Sequence, residues 1–375
     1  MKRHLTLIAA AAMTLAQPAL AQDKDVTFGF FGPLTGPSAQ AGQSLRNGAL
    51  IAIDQINAEG GLLGDTVELI EYDDRSSPEQ AVRSATKLIQ VDDVDAIVGS
   101  LHSGNILAAG PEIERGEVPL VGAGTSPTWL QQGYTYLFRA LGNSELSVRQ
   151  LAAYAKQSDL NNVAILHSND EYGNSGASLF ENFAKENELT ITTKESFTHG
   201  DRDFTGQISI IARSAPDVVF VWALGDDLGP VTKQFRQLGY FGPIIGPEGY
   251  TLPEALEIAG PTADGVVFAA QYLIPETPEA AGDPMMANFL SAYNEKYGEM
   301  PASDNAFRGY DAVQVLAEGI RRAGTTDGAA VRDAINSIND LQGIAGTFDY
   351  SAGTGEGIST MRIYAIKDGA YSELK

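Results

Sequence analysis

The 375-residue chain contains no cysteine. Disulfides, thiol nucleophiles and cysteine-held metals are thereby excluded, as is a lipoprotein anchor, which is attached to a cysteine at the cleavage site. Positive charge is scarce: 25 Lys and Arg stand against 48 Asp and Glu, a formal net charge of −23. That balance offers no basic footprint for nucleic acid; its plain physical use is solubility. Histidine is scarce too, with four in all. His4 lies near the start, His167 closes an apolar run, and His199 sits in a polar stretch beside Asp201 and Asp203. With no helical i, i+4 pairing among them, no metal site is expected. There is no Gly-x-Ser-x-Gly elbow, no His-Glu-x-x-His and no Walker A loop. Gly122-Ala123-Gly124 lacks the third glycine of a dinucleotide fingerprint. A binding protein without cofactor is expected rather than an enzyme.

Long apolar runs are missing as well. The longest uncharged one, Leu5–Leu15, is broken by Thr6 and Thr14 and falls short of the roughly 20 residues that span a membrane. Lys2 and Arg3 precede it and Ala19-Leu20-Ala21 follows it. A positive start, a short apolar run and a small-x-small site form a secretory leader, so residues 1–21 are expected to be removed and the rest exported to the periplasm. Charged residues make up only 19% and hydrophobic ones 43%, a globular composition rather than a disordered one.

What is there is an alternation. Val26–Gly32 reads as a strand, and Leu45, Ala49, Ala52, Ile53 and Ile56 follow on one helical face, ended by Gly60-Gly61. Thr66–Tyr72, Ala96–Gly99 and Val118–Val121 read as strands, with helices over Pro78–Val91 and Ser103–Glu114 between them. The series restarts near Asn143: strands Val163–His167, Val218–Trp222 and Pro243–Ile245 alternate with helices Tyr172–Glu188, Phe204–Ala215 and Leu228–Leu238. Continuously apolar runs such as Val218–Trp222 suit parallel strands covered on both faces. Repeated β-α-β units give an open, doubly wound sheet, and two series give two lobes. The last third holds a strand at Val266–Tyr272, helices over Pro284–Tyr297, Asp304–Ala323 and Gly328–Ile338, and Gly-rich strands at the end.

Six motifs stand in register along these elements: Gly32-Pro33-Leu34-Thr35-Gly36-Pro37; Asn57-Ala58-Glu59-Gly60-Gly61-Leu62-Leu63-Gly64; Tyr72-Asp73-Asp74 with Pro78-Glu79-Gln80-Ala81; Gly122-Ala123-Gly124-Thr125-Ser126-Pro127; Asp170-Glu171-Tyr172-Gly173; and Gly246-Pro247-Glu248-Gly249. In this order and spacing the chain resembles the leucine/isoleucine/valine-binding family of periplasmic proteins. The resemblance implies two Rossmann-like α/β lobes joined by a three-strand hinge, with lobe one at 22–142 plus 271–340 and lobe two at 143–270 plus 341–375. It implies a monomer that captures a small L-amino acid, hydrophobic or branched-chain, and delivers it to the permease of an ABC importer. An amide, urea or an aromatic acid as cargo, or a sensory role on the same fold, are the alternatives.

In open α/β sheets ligands sit at the carboxyl ends of strands, near helix N-termini. Ser103 and Thr125 stand at such ends and could hold a carboxylate, or serve as ordinary helix caps. The resemblance assigns them to the ligand carboxylate, and Glu248, with the carbonyl of Ala123, to its ammonium. It also brings Tyr172, Gly104 and Gly249 to the ligand, with Trp222 and Phe307 as aromatic walls; for these last two, plain core packing is the competing expectation, and His102, a departure from the family, either reaches the pocket or caps a loop. Two departures stand out. Ala41 occupies a position where family members often carry tyrosine, and His102 and Ser77 stand where some members pair two cysteines. The side-chain end of the pocket is therefore expected to differ from that of a strict leucine binder.

Overall fold

The computed structural model describes residues 25–374; the expected leader at 1–21 lies outside them. β1 (Val26–Gly32) leads to α1 (Ala39–Ala58), and the alternation continues through β2 (Val67–Asp73), α2 (Pro78–Gln90), β3 (Ala96–Gly99), α3 (Ser103–Gly116), β4 (Leu120–Gly122) and β5 (Leu137–Arg139). These five strands pair in parallel in the order β2-β1-β3-β4-β5. The second series comprises α4 (Ser144–Gln157), β6 (Asn162–Ser168), α5 (Glu171–Glu186), β7 (Thr190–Phe197), α6 (Thr205–Arg213), β8 (Val218–Trp222), α7 (Gly225–Gln237), β9 (Ile244–Gly246), α8 (Pro253–Ala259) and β10 (Val266–Ala270). Its strands run β7-β6-β8-β9-β10, the same winding as the first sheet. After α9 (Pro284–Tyr297), α10 (Asn305–Ala323) and α11 (Gly328–Asn336) come a small hairpin, β11 (Leu341–Gly343) and β12 (Gly346–Phe348), and then β13 (Arg362–Lys367) and β14 (Ala370–Leu374). The last two extend the second sheet antiparallel beyond β10. Two doubly wound α/β lobes are thus present. No helix among the described residues is long and apolar enough to cross a membrane.

Sequence spacing explains the packing. Leu45, Ala49, Ala52, Ile53 and Ile56, one face of α1, are all buried. They share a core with Phe307, Val313, Leu316 and Ile320 of α10, so the C-terminal helices return to the first lobe. Two glycines set how closely α1 and α10 approach. A Cβ at Gly48 would strike the carbonyl of Ala306, and one at Gly309 would strike that of Leu45. Backbone against backbone leaves no room for a side chain, and this contact fixes where the first turn of α10 stands.

The chain passes between the sheets three times: between β5 and α4, between β10 and α9, and between β12 and β13. The third passage comes later than the boundary at 340 expected from sequence. Ile344, Phe348, Tyr350 and Ile358 are buried in the first lobe's core with Phe138, and the hairpin is tied to α10 by the Ile344 and Ala345 N–H groups, which donate to Asp311. Gln271 ties the crossings together: its Oε1 accepts from the Gly142 N–H at 3.0 Å and its Nε2 donates to the Ala345 carbonyl at 2.8 Å.

Candidate functional site

Both sheets reverse their strand order next to their first strand, between β1 and β3 in one and between β6 and β8 in the other. Such a switch opens a crevice at the strands' carboxyl ends. The inter-lobe cleft is lined by residues that follow these ends: Ser38 and Ala41 after β1, Leu101 and His102 after β3, Thr125 after β4, Leu224 and Asp226 after β8, and Glu248 and Gly249 after β9. Tyr172, in the first turn of α5, joins them. Its helix is started by Asp170, whose Oδ1 accepts from the Gly173 N–H at 2.7 Å, an N-cap of the usual kind.

Ser103 is the first residue of α3, not its cap, and Ser126, not Thr125, caps the short turn Pro127–Trp129. The capping alternative therefore applies to neither. The Ser103 Oγ accepts from the Ser126 N–H at 3.1 Å, which leaves the hydroxyl proton available to a ligand. The Thr125 Oγ1 donates to Glu248 Oε1 at 3.2 Å. The loop carrying Thr125 is held from behind by Arg139, a fully buried side chain whose guanidinium donates to the carbonyls of Thr125, at 3.0 Å, and Ser126. Glu356 balances its charge at 3.3 Å. Ser126 Oγ also reaches Glu171 Oε1 at 2.6 Å, so the lobes are in direct contact across the cleft.

Glu248 is the centre of the electrostatics. Burial raises its pKa, and the charge of Arg308 pulls it back. Arg308 Nη2 lies 3.6 Å from Glu248 Oε1 and 2.7 Å from Asp304 Oδ2, while Nη1 donates to the Ala123 carbonyl at 3.3 Å. Burial alone would lower the Arg308 pKa, yet Asp304 and Glu248 hold it above its ordinary value. Both groups expected to receive an ammonium thus already touch a cation. The Ala123 carbonyl, expected at the ammonium, accepts from Arg308 of the first lobe. Glu248 keeps one oxygen in reserve, since Oε2 is buried and has no hydrogen-bond partner.

Ser103 and Gly104 line the groove that continues from the cleft past His102 and Tyr172. The two expected aromatic walls are placed elsewhere. Trp222 is fully buried and stacks on Phe220, with centroids 5.3 Å apart. Tyr172 stands beside it at 5.5 Å. Strand alternation puts Trp222 on the face of Phe220 and Val218, against Phe180 of α5, so it supports Tyr172 instead of facing the cleft. Phe307 packs at 5.0 Å from Tyr272 and 5.2 Å from Phe289. Its neighbours Asp304, Asn305 and Arg308, which sequence reasoning passed over, line the cleft instead. An Asp and an Arg four residues apart at a helix start were the available signal.

His199, Asp226 and Asp227 offer ligand atoms within 4.8 Å of one another. Their hydrogen bonds describe an ion-pair network. Asp227 accepts from His199 Nδ1 at 2.7 Å and from the Gly200 N–H at 3.0 Å. The bond to Asp227 lifts the His199 pKa to about 9, so a proton holds the imidazole at neutral pH. Across the cleft, burial and then the nearby His199 push His102 down to about 3, a neutral ring.

Two lobes closing over a crevice, with hydroxyl donors on one side and a carboxylate on the other, define a solute-capturing protein. The chain belongs to the periplasmic binding protein family, whose model matches residues 25–370, and within it to the leucine/isoleucine/valine-binding proteins. It is 30% identical over 348 residues to the Leu/Ile/Val-binding protein BraC3 of Rhizobium johnstonii, covering 92% of each chain. It is 30% identical over 308 residues to the leucine-, isoleucine-, valine-, threonine- and alanine-binding protein of Pseudomonas aeruginosa, covering 82% of this chain and 80% of that one. The crystal structure of the leucine-binding protein LivK from Thermotoga maritima superposes with a TM-score of 0.84 at 28% identity, covering 93% of this chain and 98% of that one.

Proposed function

We propose that this protein is the periplasmic substrate-binding subunit of an ABC importer and that it captures a small L-amino acid. One observation carries the reading: Glu248 Oε2 is buried within the cleft without a partner, while the Thr125 hydroxyl reaches the other oxygen, Oε1. A buried carboxylate oxygen without a donor is costly, and a ligand ammonium removes that cost. The ligand carboxylate docks on the first lobe, on Ser103, Thr125 and the N-terminus of α3, whose first N–H groups have no intrahelical acceptor. Tyr172 and Glu248 join from the second lobe as the cleft closes. The closed form buries the ligand, and a membrane permease then recognises that form. The relatives named for leucine, isoleucine, valine, threonine and alanine supply the first candidates.

The test is thermal unfolding of ligand-stripped protein against L-amino acids and their deaminated and decarboxylated analogues. A ligand at about 100 times its Kd adds about 2.7 kcal/mol of stability, a shift of several degrees. Only compounds carrying both charged groups should produce it. Equal shifts with deaminated acids would remove the role given to Glu248.

A further inference from the structure

The cleft has two ends with different chemistry. Thr125, Glu248 and Arg308 also line a small cavity on the hinge side, with Gly142 and Gln271. His102, Tyr172 and Leu224 also line the groove on the opposite side. Between these, the far wall of the cleft is formed by Ala41, Leu101, Leu224 and Leu252, and among them stand Ser38, His102 and Asp226.

An aliphatic ligand side chain needs only the first four. The three polar residues carry atoms that are buried without a hydrogen-bond partner: Ser38 Oγ, His102 Nε2 and Asp226 Oδ2. Ser38 and His102 are each only 7% exposed and the Asp226 side chain 10%. Buried polar atoms without partners are rare, and each calls for an explanation. Two of the three come from the first lobe and one from the second, so the cleft is what they share. Asp226 Oδ2 accepts no hydrogen bond: His199 Nε2 stands 3.6 Å away, too far for one, and burial raises the Asp226 pKa while the charge of His199 opposes that rise. His199 has already given Nδ1 to Asp227.

Building on the amino-acid reading, we propose that the preferred ligand is an L-amino acid whose side chain ends in a hydrogen-bond donor, an amide or a cation, and that Asp226 and His102 select it. The methylene stem lies against Ala41, Leu101 and Leu252. The tip donates to Asp226 Oδ2, with His102 Nε2 as its second contact. A terminal methyl placed there leaves all three polar atoms unsatisfied, which is the situation in which a polar site rejects an apolar isostere most strongly.

The experiment is calorimetric titration of the ligand-stripped protein with matched ligands: L-glutamine and L-lysine against L-leucine and L-norleucine. We expect the better of the first two to bind at least tenfold tighter than either of the second. In D226N that preference should shrink at least fivefold. The wild-type comparison stands even where a variant folds poorly. A preference for the aliphatic pair, for an acidic side chain, or an equal loss of all ligands in D226N overturns this proposal and leaves the amino-acid reading intact. Binding of no α-amino acid overturns both.

Discussion

Arg308 Nη2 lies 3.6 Å from Glu248 Oε1, and the same guanidinium is clamped to Asp304 at 2.7 Å. The two residues come from different lobes, so the contact sets a cation against the carboxylate across the cleft. Arg308 therefore acts on Glu248 through its charge, opposing the rise in pKa that burial imposes.

Replacing Arg308 with methionine removes the charge that opposes the burial-driven rise in the Glu248 pKa. The carboxylate then protonates at higher pH, and the protonated form gives an ammonium no charged partner. Affinity in the variant should fall as pH drops from 8 to 5 more steeply than in the wild type. Calorimetric titration across that range checks it, and parallel pH profiles would contradict it.

The pH dependence of stability has a separate source in His199. Its pKa rises from 6.5 to about 9, chiefly through the hydrogen bond to Asp227. A raised histidine pKa contributes stability that is fully present below about 6.5 and is lost as pH rises through about 9. The melting temperature should therefore decline between pH 7 and 10, and His199→Gln should flatten that decline. Thermal melts of the two proteins over the range decide the point.

Trp222 and Tyr172 test support against contact. Trp222 is fully buried behind Tyr172, so Trp222→Phe should lower stability by about 1–3 kcal/mol and leave ligand affinity within about threefold. Denaturant unfolding and titration of the same variant separate the two effects. A large loss of affinity at unchanged stability would return Trp222 to the cleft wall.

The legible parts of the sequence were those with strong periodicity or fixed motifs. The helical stripe from Leu45 to Ile56 and the apolar runs at Ala96–Gly99 and Val218–Trp222 were read at their observed positions. Thr190–Phe197 was missed because an edge strand covered on one side reads as polar. Leu137–Arg139 is too short to stand out, and its arginine is buried only because two carbonyls and Glu356 wait for it. The motifs led to Thr125, Tyr172, Glu248 and Gly249, all on the cleft. They did not lead to Arg308 or Asp226, because partnership across two lobes leaves no local pattern. Phe307 drew attention as an aromatic, yet helical geometry turns it into the core and its neighbour Arg308 toward the cleft. In Trp222 a continuous apolar run concealed which face points at the ligand.

A ligand ammonium on Glu248 is tested best by one substitution and two ligands. The best-binding L-amino acid and its deaminated analogue are titrated into wild type and Glu248→Gln. Loss of a charged partner in a buried hydrogen bond costs about 1.5–3 kcal/mol, roughly tenfold to a hundredfold in affinity. That loss is expected for the amino acid, and little change for the analogue. Equal effects on both ligands, or no effect on either, would contradict it.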